Sequence, residues 1–170
     1  MSETMLVTLD HAGCGIEVAD QAADLAARLG QHAVLLHVVK VPPGVGATHV
    51  VLHCEPCDID GETALEGLAH DAIAALRAFA ASFESRGVPT RIEVRTGLPA
   101  KAILAAAEAH GASMIAVGTH GRTGLARTIL GSVAEEVIRS ATCPVVTIRM
   151  QAGEAGMTAA QAQALAESDG

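Results

Sequence analysis

Five times in this 170-residue chain an apolar run of strand length gives way to a stretch of helical pattern or to the chain's last segment. That alternation constrains the fold more than any other feature, because it is the sequence form of a parallel sheet with helical crossovers. Strands are expected over 5–10, 33–39, 90–96, 113–117 and 144–148, with helices over 15–29, 61–86, from Pro99 to Gly111, and over 132–140. The run at 33–39 is apolar throughout, as in a strand covered on both faces. Right-handed crossovers then allow a single doubly wound α/β domain over 1–150 with a five-stranded parallel sheet of order 3-2-1-4-5, the expected arrangement. The stretch 90–96 alternates Ile92 and Val94 with Arg91, Glu93 and Arg95, which suits an edge strand with one wet face. In this order the first and fourth strands are neighbours where the winding reverses, so Asp10 and Gly118 meet at the crevice where such sheets bind ligands.

Composition narrows the partners. The net charge is −8 and there are only two lysines, which argues against nucleic acid, whose phosphates need a basic face. No run approaches the roughly 20 apolar residues of a membrane span, and the first residues carry no basic region ahead of an apolar one, so a cytoplasmic location is expected. Cys14, Cys54, Cys57 and Cys143 are scattered and are expected to be reduced thiols. Residues 151–170 are polar and alanine-rich and read as a loosely held tail. Residues 40–60 exceed a usual connection, and 48–53 within them fits an extra short strand.

Gly118-Thr119-His120-Gly121, nine further residues and then Gly131-Ser132 lie between the fourth strand and the last helix. Glycines at such a turn let backbone N–H groups approach an anion and adopt conformations that a Cβ would penalise. From Gly118 to Ser132 there are two arginines, Arg122 and Arg127, and no acid. Ser132 and Glu135 fit a capping box that would start the helix at the same place.

This spacing, followed by Val133-Ala134-Glu135-Glu136-Val137 and Cys143-Pro144-Val145-Val146, resembles the ATP-binding branch of the universal stress protein family, over roughly residues 5–150. The resemblance implies a flavodoxin-like fold and a site for ATP, with ADP or AMP as alternatives, accompanied by magnesium or manganese. It puts adenine against the backbone of Val38, ribose near Asp10 and phosphates over Gly118, Gly121, Gly131, Ser132 and Val133, with Leu9, Val117, His120 and Arg122 also at the nucleotide site. His37 reads as a satisfied buried histidine, not a ligand. His11-Ala12-Gly13-Cys14 depart from the serine-rich stretch common in the family. A stress-response sensor or regulator with a protein partner is implied. Without a Walker lysine, an assignable base or an arginine finger, hydrolysis should be slow or absent.

Two further expectations come from other segments. The apolar edge formed by 144–150 invites a homodimer, the arrangement the family commonly uses. His49, His53, Cys54 and Cys57 form H-x3-H-C-x2-C in the long loop. Imidazoles and thiolates so spaced can hold zinc or copper, C-x2-C can form a redox disulfide, and the same residues can equally be scattered in a surface loop. A metal or thiol-redox module on an α/β scaffold is therefore the alternative function.

Overall fold

The computed structural model describes residues 3–9, 15–40, 51–54, 64–120 and 131–150. Ten elements follow one another: β1 (Thr4–Thr8), α1 (Gly15–Leu29), β2 (His32–Val39), β3 (Val51–Cys54), α2 (Ala64–Glu84), β4 (Thr90–Thr96), α3 (Pro99–Ala109), β5 (Met114–His120), α4 (Ser132–Ser140) and β6 (Val145–Met150). The sheet runs β3-β4-β2-β1-β5-β6. Its five parallel strands stand in the expected order. The sixth, β3, lies antiparallel on β4, so the short extra strand exists within the long connection.

Each face of the sheet buries its own core. On one face Met5, Val7 and Leu35 of the strands pack with Leu76 and Phe83 of α2, and on the other Leu6 and Leu36 pack with Ile103 of α3 and Val137 of α4. Ala19, Ala22, Ala23 and Ala26 are all buried on one stripe of α1, and their small side chains let the helix lie close to the strands. Three helices end alike. Gln31, Val88 and Ala112 donate their N–H groups to Ala26, Phe83 and Ala107, and the preceding Gly30, Gly87 and Gly111 have φ of 64°, 69° and 54°. This is the Schellman closure, in which a left-handed glycine satisfies the last helical carbonyls and turns the chain directly into the next strand.

The wet edge expected for 90–96 is not what forms. β3 pairs along β4, and Glu93 is 1% exposed on the face that α3 covers. Its two carboxylate oxygens accept hydrogen bonds from Arg95 Nε and His110 Nε2. Burial pushes the Glu93 carboxyl up, but the hydrogen bonds from His110 and Arg95 and their positive charges outweigh it and hold the group below its ordinary value. Alternating charge here marks a buried ion cluster.

Two local expectations at the glycine motif are also corrected. Gly118 is not at a turn: β5 continues through it, paired with Ile148 of β6. The last helix is capped by the backbone of Gly131 in extended conformation, with no side-chain cap, and Ser132 is its first helical residue. The capping box therefore does not form.

Candidate functional site

After β1 the chain passes to the α1–α2 face, and after β5 to the face of α3 and α4. The strands lie side by side while the helices that follow them, α1 and α4, lie on opposite faces, and a crevice opens at the strands' carboxyl ends. A cavity of about 630 Å³ occupies it, within the range of small-ligand sites. Leu9, Leu36, Val38, Val39 and Val117 give it apolar walls.

Helices that follow parallel strands begin at the strands' carboxyl ends, and so three amino termini border the cavity: Gly15 of α1, Pro99 of α3, and Gly131-Ser132-Val133-Ala134 of α4. Each contributes a partial positive charge. In α4 the first intrahelical bond runs from Glu135 N–H to Gly131 O at 3.0 Å. The amides of Ser132, Val133 and Ala134 precede it, and no side chain caps them. Gly131 has φ −61° and open space where a Cβ would stand. Neither backbone conformation nor packing among the described residues requires a glycine there.

α2 supplies a side wall. Its 21 residues make about 31 Å of helix, against about 23 Å for the seven residues of β4. Its lower end is tied to the start of β4 through Gly87, so its first turns stand beyond the carboxyl edge of the sheet. Asp71 and Ala72, about two turns below that projecting end, line the cavity, and Lys40 joins them from the end of β2. These are the two charged residues among the described lining. Sequence reasoning missed both, since an exposed charge after a strand or on a long helix carries no local signature.

At the top of β1 the strand ladder stops in an unusual way. Leu9 N–H donates to Leu36 O at 2.9 Å, whereas Leu9 O accepts from the side chain of His37, Nδ1, at 2.8 Å. Successive strand residues turn their N–H and C=O to alternate sides. Val38, two residues beyond Leu36, thus directs both groups toward β1, and its N–H has no acceptor among the described residues. Val39 turns the other way, its carbonyl accepting from Gly97 N–H at 3.0 Å.

Of the residues expected at a nucleotide site, Leu9, Val38, Val117, Gly118, Gly131, Ser132 and Val133 all line this one cavity. Asp10, Gly121 and Arg122 lie outside the described residues, and His120 is described as the last residue of β5 only. His37 is buried and bonded, as expected of a satisfied core histidine. In the long loop His49 and Cys57 fall outside the described residues. His53 and Cys54 are consecutive in β3, at register positions opposite Glu93 and Ile92. Among the described residues no group of three or more His, Cys, Asp or Glu could hold a metal ion. No helix among them is long and apolar enough to cross a membrane.

Comparison with known proteins bears on the family and the fold. Universal stress protein MJ0531 of Methanocaldococcus jannaschii is 33% identical over 145 residues, covering 85% of this chain and 81% of that protein. Two solved structures share the fold. A universal stress protein in complex with cAMP has a TM-score of 0.63 at 18% identity, over 88% of this chain and 98% of the other. The universal stress protein of Archaeoglobus fulgidus in complex with dAMP has a TM-score of 0.60 at 22% identity, over 86% and 97%. The profile of the universal stress protein family matches residues 1–149, and on that match the chain belongs to the universal stress protein family.

Proposed function

We propose that this protein binds an adenine nucleotide, ATP first with ADP or AMP as alternatives, and acts as a dimeric sensor or regulator. The observation that carries this reading is the open amide of Val38 beside an apolar cavity ringed by helix amino termini. An N–H and a C=O side by side match the adenine edge, with N1 as acceptor and the 6-amino group as donor, and mismatch guanine, whose pattern there is reversed. Ribose would lie near Leu9 and Asp10. Phosphates would meet Gly118, His120, Gly121, Arg122, Gly131 and the uncapped amides of Ser132 and Val133, where the α4 amino terminus favours negative charge. Two relatives of the same fold were solved with cAMP and dAMP, which supports an adenine ligand. Magnesium or manganese would be carried mainly by the phosphates.

The chain contains no Trp and no Tyr, so a bound adenine dominates its near-ultraviolet absorbance. Gently purified protein is expected to release ATP or ADP on denaturation, identified by chromatography. Titration calorimetry with ATP and magnesium covers a ligand lost in purification. Absence of heat and of any thermal shift with millimolar ATP or ADP, while another ligand gives both, would overturn the reading.

A further inference from the structure

Resting on that reading, we propose that His37 is a positioning residue: by occupying the carbonyl of Leu9 it ends the β1–β2 ladder one bond early and keeps the Val38 amide open for the base. Strand β2 is otherwise apolar from Ala33 to Val39, and a leucine at 37 would fill the same space without desolvating an imidazole. The ring is 6% exposed. A carbonyl only accepts, so Nδ1 carries the proton of the 2.8 Å bond to Leu9 O.

The register defines what this bond displaces. After Leu9 N–H to Leu36 O, the next rung of a regular parallel ladder is Val38 N–H to Leu9 O. His37 approaches that oxygen instead. Were it replaced by an apolar residue, Leu9 O would lose its donor and the Val38 amide would be the nearest group able to satisfy it. The site would lose its base-reading N–H to the protein's own backbone. Asparagine is the informative substitute, because its Nδ2 is attached to Cγ as Nδ1 is in histidine.

Binding of ATP and GTP to His37→Leu and His37→Asn tests the arrangement. His37→Leu should weaken ATP binding about tenfold or more and lower the ATP-to-GTP affinity ratio, and His37→Asn should recover ATP binding to within about threefold of the original. Unchanged affinity and ratio in His37→Leu would overturn the proposal, as would an Asn variant no better than the Leu variant. Amide exchange gives a second readout that does not depend on the variants folding. In the ligand-free native protein the Val38 amide should exchange far faster than that of Leu36, and a protected Val38 defeats the idea. If the native protein binds no adenine nucleotide, the proposed function fails, but the exchange rate of Val38 still decides the role of His37.

Discussion

His110, just past the last turn of α3, hydrogen-bonds through Nε2 to Oε2 of Glu93 in the middle of β4, joining a helix end to a strand interior across one face of the sheet. Arg95 holds the other carboxylate oxygen from two residues along the same strand. A single buried carboxylate thus accepts from both Arg95 and His110, and removing it takes a charged partner from Arg95.

The first prediction concerns acid. The Glu93 carboxyl is lowered from an ordinary value of 4.5 in the folded protein, so the unfolded chain binds the proton more readily. Its contribution to stability is therefore complete above that ordinary value and is lost as pH falls through the lower, folded one. Glu93→Gln should cost about 3 kcal/mol at neutral pH. Chemical denaturation across pH 3 to 7 should also show a flatter acid limb for the variant, and parallel limbs would contradict the assignment.

Gly131 supplies the second. With φ −61° and open space around its would-be Cβ, Gly131→Ala should leave the fold intact, at a cap cost of at most about 1 kcal/mol. ATP affinity should fall sharply, because the new methyl stands where a phosphate would approach the α4 amino terminus. Gly87→Ala is the opposite control: at φ 69° it should destabilise by about 1–2 kcal/mol and leave affinity unchanged. Thermal melts and calorimetry on the two variants separate the effects, and retained affinity in Gly131→Ala would remove that residue from the site.

The third concerns assembly. β6 is a terminal strand of the sheet, and Ile115 N–H donates to Pro144 O, so the even-numbered residues of β6 bond inward to β5 and Thr147 turns its N–H outward. A homodimer built by antiparallel β6 pairing should dissociate in Thr147→Pro while the protomer remains folded. Proline at Val146 would instead break an internal rung. Sedimentation velocity distinguishes the cases, and a native protein that stays monomeric at high concentration would exclude this interface.

Much of the architecture was legible in the chain. The bounds of α1 and α4 follow directly from their sequence patterns, and Gly30 ends α1 where expected because a left-handed residue is required there. The strand order is one that right-handed connections allow and that the family resemblance implies. What escaped was decided by distant partners. Arg91, Glu93 and Arg95 read as a solvated face because alternating charge looks the same whether water or His110 satisfies it. Ser132 fits a capping box by spacing, yet the chain enters its helix with Ser132 already inside. Seven of the eleven expected nucleotide-site residues line one cavity, but Lys40 and Asp71 reach it through the length of α2 and the end of β2, which no local pattern encodes. His37 was legible as a buried histidine; its effect on Val38 required the strand register.

The three Schellman closures all lie at the end of the sheet away from the cavity, and they leave almost no slack between a helix and the strand that follows it. An event at the crevice therefore has a stiff foundation beneath it. Lengthening or shortening a connection there would force a whole helix to move. On the proposed sensor role, a response to an occupied crevice is therefore expected at the rim or the β6 edge, and not through those turns.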